Sequence, residues 1–312
     1  MATNLVSFVS AVRLPQMRNG VAAARHLCLS LLCSTLLCAP AHAGAGGDPN
    51  PVRLEVGYTQ DDNVNRAADV QQKLSDDIFS ANLSQSAIFP VTDRTRVVVT
   101  GLLNAEKLRR HVGLDRISLG IQGEFQYRTS GEFFAPTFGI VGRAWLDEYN
   151  AGMRSGQRYS VGVNLRQSLT DRIRFFGALA ANSRNADSAV FDGRDYGARF
   201  NLDYSLDRDG TLYLGGEFRR GDTVTSAPDS AAYEAIAKVD APDDAYADRG
   251  FVAYRYEAKT VLWTLGYNRR LGPNDSIDLW WRRAESTPTA TGPLGTSRYY
   301  ANQYSIAYLI RF

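Results

Sequence analysis

From Val52 onward the chain repeats one pattern. Apolar residues recur at every second position, and each run closes on a polar break. The clearest run ends the chain: Tyr304, Ile306, Tyr308, Ile310 and Phe312 alternate with Ser305, Ala307 and Arg311. A period of two puts alternate side chains on opposite faces of a strand. No stretch after Ala43 is long and apolar enough to cross a membrane as a helix, so any crossing must be made by strands, and strands cross only as a closed barrel. An apolar strand at the end of a soluble domain would expose an edge open to pairing, whereas the last strand of a barrel pairs with the first.

Twelve such runs follow one another: Val52–Tyr58, Phe79–Phe89, Val97–Leu103, Ile117–Tyr127, Phe138–Leu146, Tyr159–Leu169, Ile173–Ala181, Tyr196–Tyr204, Leu212–Phe218, Val261–Tyr267, Ile277–Trp281 and Tyr304–Phe312. The breaks alternate in length. Short turns fall at Pro90–Thr95, Thr129–Glu132, Thr170–Arg172, Asp207–Gly210 and Gly272–Asp275. Longer loops fall at Thr59–Asp76, Ala105–Asp115, Asn150–Gln157, Ser183–Asp195, Arg220–Arg249 and Ala284–Ser297. An even strand count with short turns on one side and long loops on the other predicts an all-β fold. The expected form is a 12-stranded antiparallel transmembrane β-barrel with short periplasmic turns and long extracellular loops. A soluble sandwich also alternates, but not in loop length. Aromatic residues near run ends, such as Tyr58, Phe89, Tyr159, Tyr204 and Trp281, fit interface girdles. Two turns share their wording, Thr92-Asp-Arg-Thr-Arg96 and Thr170-Asp-Arg-Ile-Arg174, which predicts one local solution used twice.

The last run resembles the C-terminal targeting strand of Gram-negative outer-membrane β-barrels on Tyr304, Ile306, Tyr308, Ile310 and Phe312. The resemblance implies a porin-like barrel in the bacterial outer membrane, with these five residues as the signal read by the barrel-assembly machinery. Gly57-Tyr58-Thr-Gln-Asp-Asp62-Asn-Val-Asn-Arg-Ala67 is similar to the opening of the barrel domain in surface lipoprotein assembly modifiers. That similarity implies an alternative role in assembly or export of surface proteins.

The N-terminal segment points the same way. Arg18 and Arg25 precede the apolar run Leu27–Leu37, which is too short to span a membrane, and Ala41-His42-Ala43 has the small-x-small form of a cleavage site. Residues 1–43 are expected to be a cleaved signal peptide, with Met1 or Met17 as the start, 44–51 a periplasmic lead, and 52–312 the barrel. All three cysteines (Cys28, Cys33 and Cys38) lie in that segment, each directly after Leu, which argues against lipidation. The segment after it therefore has no disulfide, thiol nucleophile or cysteine metal site. Of 35 basic and 33 acidic residues, three basic and no acidic ones fall before Gly44, leaving a near-neutral remainder that argues against nucleic-acid binding.

Catalysis finds little support. The one histidine after Ala43 is His111, in Leu108-Arg-Arg-His-Val-Gly113. An outer-membrane phospholipase pattern would need serine where Gly113 stands, and an omptin pattern would need aspartate where Arg109 stands. His111 is expected to be a solvated loop residue, with basic neighbours suited to lipopolysaccharide phosphates. The acidic groups Asp61-Asp62 and Asp240–Asp248 lack the ligand spacing of a calcium loop. No metal and no cofactor are expected.

The remaining candidate is the lumen. If the face of Phe312 meets lipid, the opposite register carries Arg96, Arg143, Arg166, Arg174, Arg199, Arg219 and Arg282, with Arg53 and Arg311 at the periplasmic rim; the inward acids are Glu55, Glu124, Asp203, Glu217 and Asp278. Guanidinium groups in a narrow, low-dielectric tube focus a positive potential and favour anions. This composition is similar to that of twelve-stranded porins for acidic oligosaccharides. The expected function is passive passage of small, preferentially anionic solutes, with a closed barrel displaying loops as a further alternative. Within the longest loop, Ser230–Lys238 has helix-forming composition, with Asp229 or Ser230 as cap. The acids Asp240–Asp248 are expected to meet rim arginines such as Arg219 and Arg220, making the loop a gate.

Deleting Phe312, or replacing both Tyr308 and Phe312 by Ser, is expected to block insertion. The readout is loss of the heat-modifiable folded form from the outer-membrane fraction.

Overall fold

The structure, a computed structural model, describes residues 52–290 and 298–312. The expected signal peptide and periplasmic lead lie outside the described residues. Long strands make up most of the chain: β1 (Val52–Asp61), β2 (Asp76–Thr92), β3 (Thr95–Leu108), β4 (Arg116–Arg128), β5 (Thr137–Tyr149), β6 (Gly156–Ser168), β7 (Ile173–Ala186), β8 (Gly193–Ser205) and β9 (Gly210–Ala227). A four-residue strand, β10 (Val239–Pro242), precedes β11 (Val252–Arg270), β12 (Asp275–Pro288) and β13 (Tyr299–Arg311).

Each long strand pairs antiparallel with the next. β13 returns to β1, with Arg53 opposite Arg311 and Asp61 opposite Gln303. β9 pairs with β11 from Gly210 and Arg269 up to Ala227 and Val252. Twelve strands therefore close on themselves, and β10 is an extra one laid on β11. Closure satisfies the backbone N–H and C=O groups that no water would reach in lipid.

The pairing register carries the expected face around the whole barrel. Tyr58 stands opposite Ile306 on one side and Phe79 on the other; Phe125 stands opposite Ile140, and Ile140 opposite Val163. These side chains point away from the axis and are bare: Ile140 is 60% exposed, Val161 61% and Leu179 59%. A continuous apolar outer wall of this kind is stable against acyl chains and unstable against water. The fold is that of a bacterial outer-membrane barrel.

The turns are built as their residues require. The hydroxyl of Thr92 accepts from the N–H groups of Arg94 and Thr95 (3.2 and 3.1 Å), and the hydroxyl of Thr170 from those of Arg172 and Ile173 (3.2 and 2.9 Å). Asp207 likewise accepts from Asp209 and Gly210. The short hydroxyl or carboxylate side chain substitutes for a backbone acceptor and tightens the reversal.

The opposite end departs from expectation. Strands run past the apolar segments: β3 reaches Leu108, β7 Ala186, β9 Ala227 and β12 Pro288. There both faces leave the membrane, so the ladder persists while the apolar alternation fades. The longest loop accordingly spans 228–251 rather than 220–249. Its α-helical part is one turn, α1 (Ala231–Glu234), and the Ser230 side chain makes no capping bond; a 3-10 stretch follows at Asp244–Arg249. The turn between β4 and β5 is longer than expected, running from Thr129 to Pro136.

The tall β9–β11 pair would expose two strand edges above its neighbours. β10 covers one, with Val239 opposite Arg255 and Pro242 opposite Val252. Asn65 covers the other, accepting from the N–H of Ser226 at 2.9 Å. Exposed edges are thus capped by the chain itself.

Leu83 faces lipid midway along β2, and its neighbour Asn82 faces Glu55 across the inner wall (3.2 Å). Leu83→Arg is expected to cost roughly 2–4 kcal/mol in denaturant unfolding in bilayers. Asn82→Arg, which places its charge beside a carboxylate, should leave the midpoint nearly unchanged.

Candidate functional site

Two cavities lie along the barrel axis. The lower, near the short turns, has a volume of about 820 Å³ and is lined by Arg128, Arg166, Arg174, Arg199 and Arg282 with Glu55, Asp203, Glu217 and Asp278. The upper, below the long loops, has a volume of about 800 Å³ and eight lining arginines (Arg66, Arg116, Arg143, Arg154, Arg158, Arg184, Arg199, Arg219) against four acids (Asp192, Asp195, Glu217, Asp222). Arg199 and Glu217 line both. They are cross-strand partners on β8 and β9 and mark the neck between the chambers.

Register places all seven arginines expected in the lumen on the inner face. Arg166, Arg174, Arg199 and Arg282 meet in the lower chamber; Arg143, Arg199 and Arg219 meet in the upper. Arg96 stands apart, its Nε donating to Gln126 at 2.7 Å. Arg53 and Arg311 oppose each other at the rim.

Partners divide these arginines into two groups. Arg166 is held by the buried carboxylate of Glu124 at 2.7 Å, and Arg219 by Glu217. Arg143 donates from its Nε to the amide oxygen of Gln122 at 2.6 Å, and Arg282 to the hydroxyl of Thr264 at 3.1 Å. Arg199 lies over the ring of Phe176, 5.0 Å from its centroid. Among the described residues, Arg143, Arg174, Arg199 and Arg282 have no carboxylate within ion-pair distance. The nearby acids are engaged elsewhere: Asp278 accepts from Tyr213 (2.8 Å) and Asn268, and Asp203 from Asn201. Neutral donors leave the carboxylates stabilised without drawing the guanidinium groups into pairs.

Several lumen residues lie outside the expected set. Arg116, Arg158 and Arg184 continue the inward register of β4, β6 and β7 into stretches that are polar on both faces. Arg116 pairs with Glu106 (2.6 Å) and Arg158 with Asp147, while Arg184 donates to the backbone oxygen of Arg154. Extending the period of two past the last apolar residue finds all three. Inward aromatics line the wall beside the arginines, Trp280 in the same register as Asp278 and Arg282. The Phe176 ring sits between the Arg166 and Arg199 guanidinium groups, and Arg282 lies 4.8 Å from the centroid of Trp280. Trp145 lies flat over Gly120, where a Cβ would come within 2.3 Å of the ring. Stacking fixes the guanidinium planes along the wall.

Above the upper chamber the long loop touches the β1–β2, β3–β4, β5–β6 and β7–β8 loops. The Tyr233 hydroxyl accepts from the N–H of Ala68 (2.8 Å) in the β1–β2 loop, and Tyr233 stacks on Tyr254, 5.3 Å between centroids. Tyr246 packs on His111 of the β3–β4 loop. Asp243 binds Arg154 of the β5–β6 loop at 2.6 Å. Val239 and Ala241 pack on Val190 and Phe191 of the β7–β8 loop. Tyr246 is fully buried, and burial pushes its hydroxyl well above the usual tyrosine range, so it stays neutral. The acidic run therefore meets Arg154; Arg219 and Arg220 pair instead with Glu217 and Glu257.

His111 is not the solvated residue expected. It is buried, with Nδ1 2.8 Å from a carboxylate oxygen of Asp76. The Gly57–Ala67 segment has a structural use: Asp61 accepts two bonds from Arg66, and Asn63 donates to the backbone oxygens of Ala67 and Tyr300. Arg66 holds a left-handed backbone (φ 58°), a strained setting for a non-glycine residue that these bonds over-determine.

No known protein-family model matches the sequence, and no curated protein matches it. Solved structures do. The COG4313 outer membrane channel from Pseudomonas putida F1 is 13% identical over 86% of this chain and 100% of that one, with a TM-score of 0.53. The NanC porin is 8% identical over 84% and 100%, with a TM-score of 0.42. The translocator domain of the autotransporter NalP from Neisseria meningitidis is 10% identical over 94% and 98%, with a TM-score of 0.41. The first of these likenesses supports the outer-membrane barrel fold.

Asn65 ties the cap to the barrel: its side chain donates to the backbone oxygens of Gln72 and Ser226 and accepts from the N–H of Leu74. Asn65→Ala leaves buried backbone groups without partners, a cost of about 1–3 kcal/mol. It is expected to make residues 62–75 protease-sensitive while the barrel keeps its heat-modifiable mobility.

Proposed function

We propose that this protein is a passive outer-membrane channel for small, preferentially anionic solutes. The observation that carries this reading is the set of arginines in the upper chamber that lack a counter-ion. Of the eight that line it, Arg66, Arg116, Arg154, Arg158 and Arg219 are ion-paired, whereas Arg143, Arg184 and Arg199 are without a carboxylate within ion-pair distance among the described residues. A guanidinium without a counter-ion inside a narrow tube attracts a diffusing anion, because low-dielectric walls focus its field. Stacking on Phe176 holds Arg199 in place at the neck, so that a passing anion meets an oriented donor. The remaining arginines have their own counter-ions, which keeps the wall from binding a solute too tightly to release it. On this reading the partners are small solutes inside, and outer-membrane lipid and lipopolysaccharide outside. The barrel-assembly machinery would read Tyr304, Ile306, Tyr308, Ile310 and Phe312.

Ala227 and Val252 pair directly, so removing Ser230–Asp248 joins β9 to β11 through a five-residue connection of ordinary hairpin length. This deletion is expected to leave the barrel folded, to raise single-channel conductance in planar bilayers, and to strengthen anion preference. In the same background Arg143→Gln with Arg199→Gln should bring the anion-to-cation permeability ratio, read from the reversal potential in a salt gradient, down toward unity. A cation-selective deletion variant, or an unchanged ratio in the double variant, would refute the proposal.

A further inference from the structure

One side chain belongs both to the upper chamber and to the cap above it. Arg154, in the β5–β6 loop, lines the upper cavity. Its Nη2 donates to Asp243 of the long loop at 2.6 Å, and its guanidinium lies 4.0 Å from the ring centroid of Phe191. Arg154 is over nine-tenths buried, yet its Nε has no partner. The guanidinium is therefore only partly satisfied by the carboxylate it holds.

Asp243 is a fixed anion on that arginine. Its oxygens also accept from the Ser226 hydroxyl and the N–H of Ala245. The next residue, Asp244, accepts from the N–H of Met153 at 3.0 Å. Together they fasten the long loop to the β5–β6 loop. The other contacts of the long loop are stacked tyrosines, small apolar residues, backbone bonds and the exposed ion pairs of Lys238 with Asp222 (2.7 Å) on β9 and Glu257 (3.8 Å) on β11. Among the described residues, Arg154–Asp243 is the buried ion pair between the long loop and the loops around it.

We infer that Arg154 is the outermost anion-binding group of the pathway, and that Asp243 occupies it in place of solute as a latch. The inference rests on the anion-channel reading and adds how the mouth would open. A solute bearing carboxylates that enters the upper chamber can offer Arg154 two oxygens, one for the Nη2 now held by Asp243 and one for the unpartnered Nε. A planar guanidinium favours such bidentate pairing over a single contact. Asp243 then leaves for water with its charge solvated, and the long loop loses the ion pair that fastens it to the β5–β6 loop. Chloride offers one acceptor atom to both N–H groups, so its two bonds are bent and weaker than a carboxylate's parallel pair, and it should release the latch poorly. The gate would respond to multivalent carboxylates, the class of solute that the chamber's charge favours.

The test is single-channel recording of the full-length barrel at constant ionic strength, with chloride or citrate on the side of the long loops. The wild-type protein is expected to be mostly closed in chloride and to open in citrate. Asp243→Asn removes the latch charge and keeps the side-chain volume. It should be open in both salts, with an open probability in chloride about tenfold above wild type, the ratio set by roughly 1.4 kcal/mol of lost latch free energy. A second variant, Met153→Cys with Asp244→Cys, should stay closed in citrate until a reductant is added. Equal wild-type opening in chloride and citrate would overturn the inference, as would an Asp243→Asn channel that still needs citrate. A cross-linked channel that opens normally in citrate would do the same. If Asp243→Asn opens but shows no anion preference, the latch stands and the anion-channel reading falls.

Discussion

The structure depends on satisfying every backbone hydrogen bond where no water can help. In lipid an unpaired strand edge is prohibitive, so β1 must find β13 and β9 must find β11. Both closures are complete, from Arg53–Arg311 to Asp61–Gln303 and from Gly210–Arg269 to Ala227–Val252. Once the cylinder closes, the period of two assigns every side chain to lipid or to lumen. Ile140 and Val141 are adjacent in sequence; the first is 60% exposed on the outer wall and the second is buried on the inner. Lumen chemistry thus follows from the fold with no further choice.

That dependence explains what was legible in the sequence. Wherever lipid demands apolar residues, the alternation is strong and the register is unambiguous, so the inward placement of Arg143, Arg166 and Arg199 follows from Phe138–Leu146, Tyr159–Leu169 and Tyr196–Tyr204 alone. Repeated turn chemistry was equally readable, because Thr92 and Thr170 each need only neighbours in their own turn. Above the membrane the signal fails for a physical reason. Strands flanked by water on one side and by a polar interior on the other need no apolar face, so the upper parts of β7 and β9 carry Arg184 and Asp222 like any loop. Arg116, Arg158 and Arg184 of the upper chamber were lost with them.

The cap was illegible for a different reason. Its order comes from contacts between distant segments: Asn65 with Ser226, Tyr233 with Ala68, Asp76 with His111, and Arg154 with Asp243. Each residue alone reads as a solvated loop residue. Polar side chains can make a specific core only when all their bonds are satisfied together. The hydrogen bonds of Asn63 and Asn65 to backbone groups meet that condition, and the tyrosine stack of Tyr233, Tyr254 and Tyr256 supplies the apolar area that α1, one turn long, could not supply by itself. A loop rich in Ala, Asp and Ser therefore gains a fixed conformation from the barrel it covers.

Charge is arranged on the same two levels. In the upper chamber, Arg66, Arg116, Arg154 and Arg158 hold Asp61, Glu106, Asp243 and Asp147. Asp61, Asp147 and Asp243 are buried and would be costly left alone, so their pairs contribute to holding each segment in place. Arg143, Arg184 and Arg199 are tied instead to an amide oxygen, a backbone oxygen and an aromatic ring. Those contacts orient a guanidinium without cancelling its charge. The first set fastens the wall and the cap, and the second leaves a field in the lumen. Arg154 stands where the two sets meet: it fastens the cap, yet its Nε has no partner. Exchanging the anion it holds would therefore alter the cap and leave the wall intact.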